Sequence, residues 1–189
     1  METGLFTAIR IALFILLSLL LIVFSWRPLH HTRSHGFYRF FAFEGILLLI
    51  LMNVSFWFRD PLTPLQLISW AFLFFSALFV CQGFCLLRKS AGSRDRENTP
   101  SNLAFENTVK LVTHGIYKYI RHPMYSSLLL LAWGVLLKHV TVYGIFTVLI
   151  TTGFLMATAK TEERENIAFF GSGYQEYMKR TKMFIPCLF

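Results

Sequence analysis

Four stretches of this chain are apolar over the length that a helix needs to cross a hydrocarbon core. They cover about 5–25, 39–58, 65–87 and 140–159, and roughly 20 helical residues suffice for a crossing. A shorter apolar run, 123–137, begins at Pro123. With 55% hydrophobic and only 15% charged residues, too little polar surface is left to coat a soluble globule of 189 residues. The sequence therefore predicts an all-α integral membrane protein with five transmembrane helices, organised as a single membrane domain over 1–189. Its parts are a three-span portion (1–87), a polar cytoplasmic loop (88–104), and a C-terminal portion (105–189) carrying a helical hairpin turned at Lys138-His139. Asp60-Pro61 and Thr63-Pro64 break the chain after the second span. Residues 103–121 read as mixed and partly helical.

A net charge of +8 would suggest nucleic acid in a soluble protein. Its placement argues otherwise. With the N-terminus outside and the C-terminus in the cytoplasm, fifteen of the 18 lysines and arginines lie inside. Only Arg10, Arg59 and Lys138 lie outside. This is the bias that orients membrane proteins, and it requires that the short run after Pro123 also cross. The charge then attracts anionic inner-leaflet lipids, and no nucleic-acid partner is expected. The N-terminal Met-Glu-Thr-Gly lacks the positive region of a cleavable signal. Cys81 and Cys85 read as small packed hydrophobes, and Trp26 and Trp57 as interfacial belt residues. Glu44, inside the second span, reads as snorkelling or pairing with Arg39 or Arg10. His30, His31 and His35 have no cysteine or acid nearby in sequence, so no metal site is expected.

Two segments concentrate chemistry. The first runs from Leu111 to Tyr125 and includes Tyr117, Arg121, His122 and Pro123. The second holds Glu162, Glu163 and Glu165, then Phe170-Gly171, Tyr174, Tyr177 and Ile185-Pro186. A hairpin of the last two spans would set them side by side at the inner membrane surface. Pro123 suits the first position of a helix, where free N–H groups and the helix dipole attract an anion. Arg121 and His122 add donors beside them. Tyr117 and Tyr125 offer aromatic faces, and Glu162 and Glu163 can hold an amine or a sulfonium. Together these groups suit a zwitterion with a flat ring. Each also has a plainer reading: positive-inside charge for Arg121-His122, belt aromatics for the tyrosines, and a solvated helix face for the glutamates, which is the preferred reading for Glu165.

The two blocks together resemble the isoprenylcysteine carboxyl methyltransferase family and its wider phospholipid methyltransferase relatives. Leu111-Val112-Thr113, Gly115, Tyr117, Arg121-His122-Pro123 and Tyr125 match its first block, and Glu162-Glu163, Phe170-Gly171, Tyr174, Tyr177 and Ile185-Pro186 its second. The resemblance covers about 105–186 and suggests a small prokaryotic-type member. It implies methyl transfer from S-adenosylmethionine, with S-adenosylhomocysteine as product. It also implies that Lys110, Leu111, Val112, Tyr117, His122, Pro123, Met124 and Tyr125 line the cofactor site, and that Glu162 belongs to the active site. The family's substrate-facing arginine, one turn before that glutamate, is Thr158 here, and Asn166 stands where leucine is usual.

The expected reaction is methylation of the carboxylate of a prenylated cysteine or a similar lipophilic acid, which enters from the bilayer. The active site is expected on the cytoplasmic side. A carboxylate needs a cation to place it, and Arg121 is the candidate. The alternatives are phospholipid (phosphatidylethanolamine) N-methylation, with Glu162 or Glu163 as base, and a non-enzymatic membrane module.

Overall fold

A computed structural model of the chain describes residues 2–90 and 111–186. Among the described residues it is helical, with one isolated parallel bridge between Ile120 and Lys182. The helices are α1 (Glu2–Phe24), α2 (Trp26–Leu29), α3 (His35–Asn53), α4 (Pro64–Ser90), α5 (Pro123–Leu136), α6 (Val142–Phe170) and α7 (Ser172–Arg180). α1, α3, α4 and α6 are long and apolar enough to cross a membrane; α5, with 14 residues, is shorter. α1 makes the case for a lipid surround. Its most apolar stretch has a mean hydropathy of 2.7 and none of it is buried by protein. Leu5, Ile11, Leu16 and Val23 all point outward, which water would not tolerate over such an area.

Side-chain contacts fix the helix directions. Ser18 of α1 donates to Glu44 of α3 at 2.6 Å, and Arg10 reaches Ser55 beyond the other end of α3. Along α4 and α5, the Ser69 hydroxyl donates to the Gly134 carbonyl and the Ser76 hydroxyl to the Ser127 carbonyl, both at 2.7 Å. Phe41 stacks on Phe154 across α3 and α6, while Leu49 and Val148 meet further along. Each of these pairs is antiparallel. One end of the bundle therefore collects the start of α3, the end of α4, the start of α5 and the end of α6.

Serine-to-carbonyl bonds and small residues draw these helices together, as in membrane bundles generally. Gly45 is the closest approach. A Cβ placed there would run into the Thr151 hydroxyl of α6. Gly45→Val is accordingly expected to destabilise the chain by about 1–3 kcal/mol through overpacking, read as a lower melting midpoint in detergent. An unchanged midpoint would show that α3 and α6 do not pack at this point.

Several readings need correction. α6 does not stop near 159 but continues to Phe170. Lys160 to Glu165 contains no helix breaker, and the helix ends where Gly171 takes a positive φ of 62°. The described part of 103–121 contains no α-helix, only one 3-10 turn at Gly115–Lys118. Cys81 and Cys85 lie exposed on the outer face of α4 rather than packed. Glu44 takes Ser18 as its partner instead of an arginine.

The hairpin lysine is held by aromatic rings and an amide. Lys138 is buried, with its ammonium 3.4 Å from the Trp70 ring centre and 3.2 Å from Gln66 Oε1. Trp57 faces the same ammonium at 5.8 Å and packs on the core rather than serving only as a belt residue. The turn itself forms as expected, and Thr141 caps α6 by accepting from the Gly144 N–H at 3.0 Å.

Candidate active site

Pro123 opens α5 at its first position, preceded by His122. The N–H groups of the first turn have no acceptor within the helix, so the backbone at Met124 and Tyr125 offers donors at the positive end of the helix dipole. The segment before it is held by the end of the chain. Arg121 N–H donates to the Lys182 carbonyl (2.8 Å), His122 N–H to the Met183 carbonyl (3.1 Å), and Lys182 N–H to the Tyr119 carbonyl (3.0 Å). The Ser126 hydroxyl donates to the Phe184 carbonyl at 2.8 Å. Further back, the Tyr177 hydroxyl of α7 donates to the Tyr117 carbonyl at 2.6 Å. The C-terminal strap thus fixes the Arg-His-Pro turn through its backbone, whatever its side chains do.

The extension of α6 brings the glutamates to this turn, and the two acids part company. Glu163 is buried. Its Oε1 lies 2.6 Å from Arg121 Nε and 3.3 Å from His122 Nε2. Arg121 Nη1 donates to the carbonyls of Met178, at 3.3 Å, and Thr181. These carbonyls lie at the C-terminal end of α7, where a cation complements the dipole. Glu162 points the other way. It is 25% exposed, with Oε2 4.0 Å from His122 Nδ1. His122 stands between the acids and stacks on Tyr125, with ring centres 5.5 Å apart.

Between these groups lies a cavity of about 70 Å³, partly open to solvent. It is lined by Leu111, Val112, Tyr117, Arg121, His122, Pro123, Met124, Tyr125 and Glu162. All were singled out in the sequence. Glu163 was too, but it sits behind the wall, locked to Arg121. Lys110 lies outside the described residues. Leu87, Asn166, Phe170, Tyr174 and Tyr177 also line the cavity. The last three stand in the second motif without having been given a site role. Asn166 had a usable signal, since it lies one turn after Glu162. Leu87 had none, because only the antiparallel packing of α4 on α5 brings it here. Thr158 is fully buried, its hydroxyl donating to the Phe154 carbonyl at 2.7 Å, and is not part of the wall.

The electrostatics of the wall have two signs. Burial pushes the Tyr174 phenol well above its ordinary pKa, and the charges of Glu162 and Glu163 push it further. A side-chain hydrogen bond with Asn166 works in the opposite direction. Tyr177 is likewise raised by burial, against the pull of Arg121. Both phenols therefore stay neutral and serve as hydrogen-bonding aromatic walls.

The family model for phospholipid methyltransferase matches residues 70–172, more than half of the chain. The chain belongs to this family. The match spans α4 to the start of α7 and so takes in both halves of the cavity. Methanethiol S-methyltransferase 1 of Bradyrhizobium diazoefficiens is 26% identical over 181 residues, covering 92% of this chain and 52% of that protein. Methanethiol S-methyltransferase 2 of the same organism is 35% identical over 74 residues, 39% of this chain and 28% of that protein. The protein-S-isoprenylcysteine O-methyltransferase of Schizosaccharomyces pombe is 36% identical over 80 residues, 41% and 34% of the two chains. The chain spans about half or less of the length of these curated relatives. No solved structure matches it. The resemblance drawn from the two motif blocks is therefore borne out.

S-adenosylmethionine is the methyl donor of this family. The cavity residues fit it. It is a zwitterion with a sulfonium and a flat purine, and the wall offers helix N–H donors at Met124 and Tyr125, a carboxylate at Glu162, and rings at Tyr117, Phe170 and Tyr174.

Proposed function

We propose that this chain is an integral membrane S-adenosylmethionine-dependent methyltransferase acting on a lipophilic acceptor. The observation that carries the reading is the single cavity shared by the first turn of α5 and by Glu162 of α6. On this reading the chain is one membrane domain crossing five times, with its N-terminus outside. The antiparallel packing gathers Arg27, Arg88, Lys89, Arg121, Lys160 and Arg164 at the end of the bundle that holds the cavity. That end is the cytoplasmic one by the positive-inside bias.

The acceptor has a path of its own. An apolar groove of about 540 Å³ runs between α4, α5 and α6, lined by Phe72, Phe75, Phe79, Leu130, Trp133 and Met156 among others. It adjoins the cavity across the Tyr125–Ser126 step and Phe184, whose ring centre is 6.1 Å from that of His122. A hydrocarbon tail in this groove would place a polar head beside His122. Leu130→Trp, which narrows the groove, is expected to raise KM for a long-chain acceptor more than for a short one; equal effects would place the tail elsewhere.

Bound S-adenosylmethionine supplies a methyl group on a sulfonium, open to in-line displacement. The chain's residues align the partners and exclude water. Met124 and Tyr125 N–H groups hold a carboxylate, Glu162 faces a cation, and Tyr117, Phe170 and Tyr174 flank a ring. Glu162 also takes the proton of an acceptor that arrives protonated.

The nature of the acceptor head turns on Arg121. A carboxylate needs a cation to place it, yet Arg121 already gives Nε to Glu163 and Nη1 to two backbone carbonyls. Thr158, where the family has arginine, is buried behind the wall. A neutral thiol asks for no cation, only a base, and Glu162 is placed to be one. Relatives named for methanethiol S-methylation, one aligned over 92% of this chain, favour the same choice. We therefore place a hydrophobic thiol ahead of a prenylcysteine carboxylate and of a phospholipid amine.

The purified chain, given donor with a labelled methyl group, is expected to label an alkyl or prenyl thiol. Label confined to a farnesylcysteine carboxylate or to phosphatidylethanolamine would overturn the thiol. Failure to bind S-adenosylhomocysteine by calorimetry would overturn the enzyme reading altogether and leave a non-enzymatic membrane module.

A further inference from the structure

Glu165 has no part in the cavity, yet it is bound more tightly than a solvated face requires. Its Oε2 lies 2.5 Å from His35 Nδ1, and its Oε1 accepts the His35 backbone N–H at 3.1 Å. His35 is the first residue of α3 and is almost wholly buried. Ser34, at the cap position, makes no side-chain capping bond. A carboxylate from another helix therefore caps α3, satisfying an N–H and the dipole at once.

The consequence falls on α6. Within one turn of this helix, Glu163 is held by Arg121 and His122 on the α5 side, and Glu165 by His35 on the α3 side. Glu162 lies in the same turn, and its ion-pair partner among the described residues is His122, at 4.0 Å from Nδ1. Its direction is set by how α6 is rotated. Each residue of a helix turns by about 100°, so a helix gripped at one azimuth alone can roll about that grip. Two grips at different azimuths stop the roll. α6 needs the second one here, because Lys160 to Phe170 extends past the apolar packing that holds the rest of the helix.

We propose that His35 and Glu165 are positioning residues, which fix the rotation of α6 and so aim Glu162 into the cavity. This rests on the assignment of Glu162 under the proposed function. Neither residue touches the reacting groups; both act through the helix. The carboxylate's geometry, rather than its charge, does the aiming, so glutamine should substitute for Glu165 and alanine should not.

The test uses the full chain in detergent or nanodiscs, assayed well below the melting midpoint of each variant. Glu165→Ala is expected to lower kcat about 10–100-fold, the scale of a small misplacement of a reacting group. Glu165→Gln is expected to recover most of that loss, since its oxygen still accepts the His35 N–H. In a Glu162→Gln background, Glu165→Ala should cost nothing further, because the group being aimed has already lost its function. A merely structural pair would move the melting midpoint while leaving kcat alone. Wild-type kcat in Glu165→Ala, or a full additional loss on top of Glu162→Gln, would overturn the proposal. If Glu165→Ala does not fold, Glu165→Asp carries the same test: it keeps the charge but its shorter side chain draws back from the His35 N–H and ring, and kcat is expected to fall as well. A wild-type chain that turns over and binds S-adenosylhomocysteine, combined with a silent Glu165→Ala, removes this inference alone. A wild-type chain that does neither removes the enzyme reading and this inference with it.

Discussion

Arg121→Ala is expected to cost the folded chain stability as well as activity. Arg121 and Glu163 are each about nine-tenths buried at the side chain and 2.6 Å apart. Removing the arginine leaves a buried carboxylate short of its main partner, which typically costs about 3–5 kcal/mol. His122 still reaches Glu163, which places the loss toward the lower end of that range. The Met178 and Thr181 carbonyls lose a donor in the same change, so α7 loosens from the Arg-His-Pro turn and Tyr117 and Tyr177 lose their register. The measurement is the melting midpoint in detergent together with S-adenosylhomocysteine binding. The double variant Arg121→Ala, Glu163→Ala should melt higher than Arg121→Ala alone, because no buried charge is then stranded. If Arg121→Ala melted with the wild type, the pair would be no anchor and Arg121 would be free to hold a substrate carboxylate.

Glu162→Gln should show the opposite profile, with the fold kept and the chemistry lost. Glu162 is a quarter exposed and lacks the close ion pair that holds Glu163, and changes at such sites usually stay within about 0.5 kcal/mol in stability. Its role in the proposed reaction is to accept the acceptor's proton, a contribution worth about 10²–10⁴ in rate. kcat for a thiol acceptor is therefore expected to fall by that factor at an unchanged melting midpoint. Raising the pH should restore part of the loss as the thiol ionises in solution, near its usual pKa of about 8.5. A variant with wild-type kcat would remove Glu162 as the base. A loss that did not lessen with pH would assign it to holding the donor's cation instead.

The contrast between these two glutamates marks the limit of a linear reading. In the sequence they are twins, adjacent acids in one motif. On a helix, neighbours point about 100° apart, so one can face a cavity only if the other faces elsewhere. Which is which depends on where α5, α3 and the C-terminal strap stand around α6. The same holds for Glu165, which reads locally as a solvated acid because His35 is 130 positions away. For Lys138 the sequence indicates a hairpin turn, and nothing beside it announces Trp70 and Gln66 on α4.

What the chain order does settle is what depends on solvent and local backbone chemistry. Long apolar runs commit α1, α3, α4 and α6 to helix, since unpaired peptide groups are too costly in hydrocarbon. Asp60 to Pro64 and Pro123 fix where helices break and start, because proline lacks an N–H and has a preset φ. Two motif blocks flanking a hairpin announce a shared site. Tertiary packing alone decides how these residues are apportioned: Arg121 and Glu163 to each other, Glu165 to α3, and Leu87, Asn166 and Glu162 to the cavity wall. Such assignments depend on helix rotation and on partners far away in the chain, and neither quantity is carried by any local run of residues.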